Sequence, residues 1–479
     1  MKTITDSEVQ AIIARVRRKI GAAADAPSSA PVDPPSALGG GVHPTVDEAV
    51  AAARVAFESY RAQGLEVRHR IVDRLRAALR DHARQLAQMA HAETGLGRAE
   101  DKVLKNLLVI EKTPGPEDLE PETWTGDHGL TLTEPAPFGV IGAITPTTNP
   151  TATIINNTIA AISAGNALVF NVHPNAKAVS VRTIGIINRA IVDAGGPVDL
   201  VTTVPEPTIE SAQQLMNHPG VRILLVTGGP GVVDEARRTT KRAILAGPGN
   251  PPVVVDATAD LELAGREIVR GASFDNNLIC TDEKEVFVVA SVADRLLDAM
   301  AANGGYLLAE HQLAKIERLI FTEAAHDGRP GRINPRWIGQ DAGAILSEIG
   351  VPDADHVRLV VADVPVEHSL IWTEQMMPVM PVARVADVDR AIELAVRAEH
   401  GCGHTASIFS HNVDTITRMA RAIDVSIFVA NAATLAGLGD GGEGFTSFSI
   451  ASPTGEGLTR PRSLSRERRL AIAGGLRIV

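Results

Sequence analysis

One cysteine stands in a sequence context that could support chemistry. Cys280 follows the polar, loop-forming pair Asn276-Asn277 and precedes a β-prone run, Val286 to Val289. The second cysteine, Cys402, is far along the chain, so neither a CxxC redox pair nor a zinc site of paired cysteines fits. A thiol between a loop and a strand can act as a nucleophile. The alternative is a small buried hydrophobic side chain, as most free cysteines are.

The other cysteine lies in the run Gly401-Cys402-Gly403-His404, before a predicted strand. A second nucleophile at Cys402 is one interpretation, and packing is the favoured one. For His404 a structural role is favoured over a catalytic one. The sequence contains no HExxH, and no metal site is predicted.

Length and composition narrow the class of protein. A chain of 479 residues with 44% hydrophobic and 22% charged residues is typical of a globular protein of two or three domains. A net charge of −11 disfavours a nucleic-acid partner. No apolar run is long enough to span a bilayer, and the first residues lack the order of a signal peptide. Two cysteines fit a reducing compartment such as the cytoplasm.

The first 42 residues are expected to form a segment separate from the α/β domains. Thr5 to Glu8 has the pattern of a capping box. Apolar residues then fall on one helical face: Val9, Ile12, Ile13, Val16 and Ile20. We expect an amphipathic helix over residues 1–20 and a flexible Ala/Pro/Ser/Gly linker over 21–42. So short a helix needs a surface, either on this protein, on its copy or on a separate partner. A membrane surface is disfavoured because the apolar face lacks Trp and Phe.

Strand and helix signals alternate from Phe138 to Val255 and restart afterwards. The predicted strands are 139–144, 167–170, 200–204 and 221–226, and the predicted helices are 154–162, 179–192, 209–216 and 232–240. Such alternation favours parallel sheets, with ligands at the carboxyl ends of the strands. We predict an α/β fold with one domain over 43–118 and 136–250 and a second, carrying Cys280, over 251–440.

A glycine turn occupies one of these strand ends. Thr227, Gly228, Gly229 and Gly231 follow a predicted strand and open a predicted helix, where a pyrophosphate would be favoured. The turn is not GxGxxG, so a plain strand–helix connection stays open. There is no Walker A or GxSxG sequence anywhere in the chain.

Two segments alternate like exposed strands: Leu130 to Thr133 and Phe445 to Ile450. They lie outside both α/β units and need a partner sheet. We therefore expect an oligomerisation flap with a tail over 119–135 and 441–479, in a homo-oligomer that is a dimer or a tetramer.

Four features stand together along the chain: Asn149 after a strand, the Gly228 turn, Cys280, and Glu374 shortly before a proline. Together they resemble the aldehyde dehydrogenase superfamily over about residues 43–470. The resemblance implies a Rossmann-type NAD-binding domain, an α/β catalytic domain and a small β oligomerisation flap.

The resemblance also implies roles for residues. Cys280 would be the nucleophile, and the Asn149 amide would hold the oxyanion. The residues implied to bind the nicotinamide cofactor are Thr145, Pro146, Thr147, His173, Thr227, Gly228, Gly229, Gly231 and Glu374. The run from Glu374 to Pro378 lacks the Phe-Gly of the family's Glu-x-Phe-Gly-Pro loop, so only Glu374 is carried over.

The runs Phe274 to Val288 and Ala246 to Pro252 look like the CoA-acylating propionaldehyde and acetaldehyde dehydrogenases of bacterial microcompartments. This implies NAD and coenzyme A, and a short-chain aldehyde, with propionaldehyde favoured over acetaldehyde. It implies that residues 1–20 are an encapsulation peptide for a shell or core protein, inside a microcompartment in the bacterial cytoplasm. No arginine for a 2′-phosphate follows His173, which favours NAD, while Lys177 leaves NADP open.

An absence supports the acylating branch. Hydrolytic relatives place a glutamate at about Ala246, but the span Arg242 to Pro252 contains no acid. Without a base for water, the acyl-enzyme would wait for a thiol. A hydrolase with its base elsewhere and a non-catalytic dinucleotide-binding shell component stay as alternatives. Since only Lys284 is a cation near Cys280, we expect backbone dipoles or a helix N-terminus to lower the cysteine pKa.

Overall fold

The computed structural model describes residues 40–326 and 329–478. The helix predicted over 1–20 and the linker as far as residue 39 lie outside the described residues. The α-helices of the described part are α1 (Val46–Arg61), α2 (Leu65–Thr94), α3 (Ala99–Lys112), α4 (Pro150–Ser163), α5 (Lys177–Asp193), α6 (Ile209–Asn217), α7 (Pro230–Arg237), α8 (Leu261–Ala272), α9 (Ala293–Ala302), α10 (Glu310–Ile320), α11 (Ala342–Glu348), α12 (Val388–Ala398) and α13 (Val413–Ile423).

The strands of the same part are β1 (Glu122–Gly126), β2 (Gly129–Pro137), β3 (Val140–Ile144), β4 (Ala167–Asn171), β5 (Val201–Thr203), β6 (Ile223–Thr227), β7 (Arg242–Ala246), β8 (Pro252–Val255), β9 (Glu285–Val289), β10 (Gly305–Leu307), β11 (Phe321–Glu323), β12 (Arg332–Ile333), β13 (Leu359–Val364), β14 (Val379–Val385), β15 (Thr405–Phe409), β16 (Ile427–Ala430), β17 (Ile450–Ala451), β18 (Gly457–Leu458) and β19 (Ser465–Ala473). Among the described residues, none of the helices combines the length and the apolar character that crossing a bilayer requires.

Five parallel strands form the first sheet, in the order β5-β4-β3-β6-β7. β3, β4 and most of β6 are buried runs of small and branched apolar residues, as parallel sheets covered on both faces require. Because β3 pairs with β6, Ile144 lies beside Val226 at the carboxyl ends of these strands. The segments that begin at Thr145 and at Gly228 therefore leave the same edge of the sheet, as the alternating pattern predicts.

Seven parallel strands form the second sheet, in the order β10-β13-β14-β9-β8-β15-β16. β9 begins five residues after Cys280 and lies at the centre of this sheet, between β14 and β8. β8 pairs on its other side with β15, so the segment before Thr405 lies next to the segment before Pro252. The α/β class with parallel sheets is confirmed; the exact domain boundaries stay a prediction.

Two helices begin earlier than the hydrophobic pattern indicated. α4 begins at Pro150 rather than at Ile154, and α7 begins at Pro230 rather than at Val232. In both, the fixed φ of proline suits the first helical position, where its missing N–H costs nothing. The earlier start makes Asn149 the N-terminal capping position of α4.

The prediction of an exposed strand over Phe445 to Ile450 was wrong. Residues 446–450 are buried, and their polar groups bond to the interior, with Phe448 N donating to Asn156 Oδ1 at 3.1 Å. The antiparallel flap sheet instead has the order β1-β2-β19. It includes Leu130 to Thr133, as predicted, but its third strand is Ser465–Ala473, at the predicted basic tail. Alternation alone does not distinguish an exposed strand from an irregular buried segment.

The predicted linker ends earlier than residue 42. Gly41 O accepts from Thr203 N at 2.8 Å, and His43 N donates to Thr203 O at 2.9 Å. Val42 thereby forms a bridge to β5. The Gly40-Gly41 pair looked flexible in sequence, yet Gly41 is needed for packing, because a Cβ there would lie 2.3 Å from Val201 O.

We expect replacement of Asn166 by alanine to destabilise the fold. Its buried side chain accepts from Phe138 N and Gly139 N and donates to Leu464 O, at 2.8, 3.1 and 2.9 Å, so it joins the start of β3 to the residue before β19. Unpaired buried backbone groups should lower the free energy of unfolding by about 2–4 kcal/mol, measured in urea. Asn303→Ala, which removes one exposed bond to Ala299 O, is the matched control and should cost under about 0.5 kcal/mol. Equal losses of unfolding free energy in the two variants would contradict the role of Asn166 in joining β3 to the residue before β19.

Candidate active site

The chain reaches Cys280 through three consecutive residues in left-handed backbone conformation. The φ angles of Asp275, Asn276 and Asn277 are +43°, +57° and +64°. Among residues other than glycine, asparagine and aspartate tolerate this region best. In sequence the Asp-Asn-Asn run appeared only as a polar loop. The structure shows that the left-handed backbone at these positions favours these residue types.

Side-chain bonds hold this turn in place. Asn277 Nδ2 donates to Ala272 O and Glu283 O at 2.9 and 2.8 Å. The buried Lys284 ammonium donates to Asn277 Oδ1 at 2.6 Å, to Asn277 O at 3.0 Å and to Ile279 O at 3.2 Å. The Lys284 ammonium therefore holds the loop that carries Cys280, and all three of its N–H groups are hydrogen-bonded.

The electrostatics of Cys280 differ from the expectation. Its side chain keeps partial exposure, but burial raises the pKa of the thiol to about 12. The nearby carboxylates of Glu374 and Asp282 raise it further, whereas Lys284 lowers it. Dipoles and the local cation therefore do not produce a thiolate in the resting site, and attack on a substrate requires a group that accepts the thiol proton.

His404, for which a structural role was favoured, lies beside Cys280. A Cβ placed on Gly249 would be 2.8 Å from His404 Cγ and 3.0 Å from Cys280 O, so Gly249 leaves room for both. His404 Nδ1 lies 2.9 Å from Thr405 Oγ1, while Nε2 is buried and has no hydrogen-bond partner among the described residues. Burial and Lys284 lower the pKa of His404 to about 4, so the ring is neutral and can accept a proton. The pairing of β15 with β8 brings His404 to this site, and the sequence does not show that pairing.

Asn149 is 8% exposed at the N-terminus of α4. Its Oδ1 accepts from Lys105 Nζ at 2.6 Å, and its Nδ2 donates to Thr148 Oγ1 at 3.2 Å. Lys105 also pairs with Asp275, in the turn that leads to Cys280. The structure thus joins Asn149 and the cysteine loop through one buried lysine.

Sequence reasoning missed Lys105 and its neighbour Lys102, both buried on α3. The spacing was visible: with Asn106 and Val109 they occupy the i, i+3, i+4, i+7 positions of one helix face, and the structure buries that face. Lysines in core positions of a helix need partners, and here both donate to Asp275 Oδ2.

Residues predicted to bind the cofactor meet at the carboxyl edge of the first sheet. The hydroxyls of Thr145 and Thr147, on either side of Pro146, are buried and have no partner. Side chains added at Gly229 or Gly231 would meet open space, so the start of α7 is accessible from that side. Unsatisfied hydroxyls and an open helix N-terminus at one sheet edge fit a dinucleotide.

Other predicted cofactor residues lie around this edge. Thr227 Oγ1 bonds with Ser449 Oγ at 2.6 Å, so this hydroxyl is already engaged. His173 follows β4, is half-buried and accepts from Asn175 N at 3.1 Å; burial lowers its pKa. Close to it, Lys177 pairs with Glu206.

Glu374 lies in the loop before β14, on the Cys280 side. Burial raises the pKa of its carboxyl to about 7, and Lys284 opposes this rise. Its charge acts on the pKa of Cys280, so the structure brings these two predicted residues together. The cofactor role of Glu374 stays a prediction, and its position next to Cys280 fits that role.

A cavity of about 800 Å³ opens beside α7, between Gly247 and the loop that contains Cys402. Burial and the carboxyls of Glu399, Glu374 and Glu285 raise the pKa of Cys402 to about 11. The pKa of the Cys280 thiol is raised as well, to about 12, so this shift does not distinguish the two cysteines. Packing remains the interpretation for Cys402.

A cysteine loop joined through a buried lysine to a capping asparagine, together with a parallel sheet whose carboxyl edge fits a dinucleotide, is typical of a nicotinamide-dependent oxidoreductase. Comparison with known proteins specifies the family. The model described as the aldehyde dehydrogenase family matches residues 40–315 and 356–444, so this chain belongs to the aldehyde dehydrogenase family. The resemblance seen in sequence is confirmed.

Relatives of this chain are CoA-acylating enzymes. It is 49% identical over 440 residues to the acetaldehyde dehydrogenase (acetylating) EutE of Salmonella typhimurium, covering 92% of this chain and 94% of that one. It is 43% identical over 441 residues to the propanal dehydrogenase (CoA-propanoylating) of Citrobacter freundii, with the same coverage.

Solved structures agree on the aldehyde dehydrogenase fold. The propionaldehyde dehydrogenase of Rhodopseudomonas palustris, solved with bound CoA and an acylated cysteine, has a TM-score of 0.89 at 44% identity and covers 92% of this chain and 100% of its own. The propionaldehyde dehydrogenase of the Clostridium phytofermentans fucose utilisation bacterial microcompartment has a TM-score of 0.89 at 43% identity, with the same coverage.

The raised pKa of Glu374 predicts a pH-dependent affinity for the dinucleotide. The carboxyl is neutral below about pH 7 and ionised above it, and only the carboxylate is a strong acceptor for ribose hydroxyls. NADH affinity, followed by fluorescence titration, should therefore rise severalfold as pH increases through that value. Glu374→Gln should remove the rise, and an unchanged pH profile in this variant would exclude Glu374 as its cause.

Proposed function

We propose that this protein is a CoA-acylating aldehyde dehydrogenase. It oxidises a short-chain aldehyde with NAD⁺ and transfers the acyl group to coenzyme A, which yields acyl-CoA and NADH. The observation that carries the proposal is the pairing of Cys280 with an acid-free span from Arg242 to Pro252, where a hydrolytic enzyme needs its base.

The reaction begins with formation of a bond between Cys280 Sγ and the aldehyde carbonyl carbon. The thiol proton passes to His404 Nε2, the unpartnered acceptor beside the cysteine. The carbonyl electron pair moves to oxygen, and the Cys280 backbone N–H and Asn149 Nδ2 donate to this oxyanion. Removal of one such donor costs about 3–4 kcal/mol in comparable sites.

Collapse of the oxyanion expels a hydride from the former aldehyde carbon and leaves a thioester on Cys280. The nicotinamide supplies the hydride acceptor when NAD⁺ is bound. Thr145, Thr147 and the Gly229–Gly231 turn would hold the dinucleotide, and Glu374 would hold its nicotinamide ribose.

The second half-reaction transfers the acyl group to CoA. The CoA thiol loses its proton, its sulfur attacks the thioester carbonyl, and Cys280 leaves as the thiolate and is protonated again. His404, protonated in the first half-reaction, first releases that proton to solvent. It then accepts the proton of the CoA thiol and donates it to the departing Cys280 thiolate. At neutral pH a far larger fraction of a thiol than of water is deprotonated. The CoA thiol can therefore react in a site where no carboxylate activates water.

Acetaldehyde and propanal dehydrogenases are both among the relatives of this chain. Propionaldehyde is the favoured substrate, and acetaldehyde is the alternative. NAD is favoured over NADP because Glu206 pairs with Lys177 near the strand end that carries His173, so the local cation is already neutralised.

The protein forms a homo-oligomer, a dimer or a tetramer, through the flap sheet. The flap exposes large apolar side chains that a partner copy would cover: Trp124, Leu470 and Ile472. β1 and β19 both leave one edge without a neighbouring strand in the described sheet.

The enzyme acts in the bacterial cytoplasm, inside a microcompartment. One of the solved relatives comes from a fucose utilisation bacterial microcompartment. Residues 1–20 carry the helical pattern suited to docking on a shell or core protein.

Cys280→Ala should abolish aldehyde oxidation, because no other thiol can form the thioester. The measurement is NADH production with ethanal, propanal and butanal, with NAD⁺ or NADP⁺, with and without CoA. One methylene should change kcat/KM by about 10–200-fold at most. Cys402→Ala is the matched control and should retain turnover.

Three outcomes decide between the alternatives. A single burst of NADH without CoA, and turnover with it, supports acyl transfer. Full turnover without CoA would favour a hydrolase. No burst with any aldehyde would favour a non-catalytic dinucleotide-binding component.

Residues 1–20 should suffice for delivery to the microcompartment. A fluorescent protein that carries them should form foci in cells that make the shell. Deletion of residues 1–39 from the enzyme should leave kcat unchanged and should abolish its delivery to the shell. A control with Ile12 and Val16 replaced by aspartate should stay diffuse. Uptake of the full enzyme without uptake of the fusion would refute the role of this segment.

A further inference from the structure

The strongest unassigned feature is a buried lysine bonded to the amide that faces the oxyanion. Lys105 is 2% exposed, and its Nζ donates to Asn149 Oδ1 at 2.6 Å. A carboxamide is planar, and its oxygen and nitrogen leave the trigonal Cγ carbon in two different directions. A strong donor fixed on Oδ1 therefore determines where Nδ2 points, and prevents the flip that would present the oxygen to a substrate oxyanion.

The position of Lys105 is itself fixed. Its Nζ also pairs with Asp275 Oδ2, and Lys102 Nζ donates to the same oxygen at 2.9 Å. The other oxygen, Asp275 Oδ1, accepts from Arg98 N at 2.7 Å. The carboxylate is thus held by three donors, and Lys105 is the ammonium that bridges it to Asn149.

The arrangement has a charge as well as a geometry. Two ammonium groups share the Asp275 carboxylate, and the one on Lys105 is also bonded to the amide oxygen. In a buried site, an ammonium bonded to Asn149 Oδ1 polarises the carboxamide and makes Nδ2 a stronger donor to the negative charge that develops on the substrate oxygen. A purely structural ion pair would not need the bond to Asn149.

We propose that Lys105 is a positioning residue for catalysis: it orients the Asn149 amide and polarises it toward the oxyanion. The inference rests on the proposed function, since it deepens the role of the same site. Lys105 acts through Asn149 and touches neither substrate nor cofactor.

A double-mutant cycle of Lys105→Met and Asn149→Ala tests the proposal. The readout is the rate of the NADH burst with propanal and NAD⁺ in the absence of CoA. Lys105→Met should slow the burst roughly tenfold or more, with the KM for aldehyde changed less than about threefold, because the lost interaction forms in the transition state. Asn149→Ala should slow it about 10²–10³-fold. The double variant should be no slower than Asn149→Ala, within about twofold.

Lys102→Met is the matched control. It removes an ammonium from the same carboxylate but leaves the bond between Lys105 and Asn149, so its burst should stay within about threefold of the wild type. Equal losses in Lys102→Met and Lys105→Met would overturn the proposal in favour of a general effect of the buried charge. Additive effects of Lys105→Met and Asn149→Ala would also overturn it.

The remaining outcomes separate this inference from the proposed function. If Lys105→Met does not fold, judged by its thermal unfolding, the cycle is run with Lys105→Ala, which also removes the donor to Asn149 Oδ1, and additivity again refutes the proposal. A full burst rate in Asn149→Ala would refute both the oxyanion role and the role of Lys105. Loss of the burst in Cys280→Ala, with additive effects at the other two positions, would leave the proposed function standing and remove only this inference.

Discussion

Three consecutive positive φ angles, at Asp275, Asn276 and Asn277, set the direction in which the chain enters Cys280. Such a turn is stable only if each of its polar side chains has a hydrogen-bond partner. Asp275 bonds to the lysines of α3, Asn276 to Gly339 O at 2.9 Å, and Asn277 to the Lys284 ammonium. Helix α3, the Gly339 loop and the start of β9 are thereby bonded to one turn, and Cys280, the proposed nucleophile, has a fixed position next to it.

Burial of the site around Cys280 determines the protonation states of three of its groups. It raises the pKa of Cys280 to about 12 and that of Glu374 to about 7, and it lowers that of His404 to about 4. Each shift favours the neutral form, because the interior solvates ions poorly. A thiolate and an imidazolium that form together stabilise one another, so proton transfer within this pair avoids the cost of two isolated buried charges.

The features that follow from chain periodicity were predictable, and those that follow from tertiary contact were not. Parallel strands ending at Ile144 and Val226 were visible as apolar runs, and they place Asn149 and the glycine turn on one edge. The error at Phe445 to Ile450 arose because Phe448 and its neighbours bond to Asn156, far away in the sequence. Lys105 and His404 were missed for the same reason: a lysine in a core position or a histidine before a strand acquires a role only through the residue that the fold brings to it.

The fate of the acyl group depends on which proton the site can remove. The ordinary pKa of a thiol is about 8.5 and that of water about 15.7. For any one base, deprotonation of water is therefore harder by about 7 pKa units, or about 10 kcal/mol at about 1.36 kcal/mol for each unit. Burial makes His404 a weak base, with a pKa of about 4, and the span around Ala246 offers no carboxylate to help it. A site with so weak a base discriminates by this difference alone, and thiolysis proceeds where hydrolysis stalls.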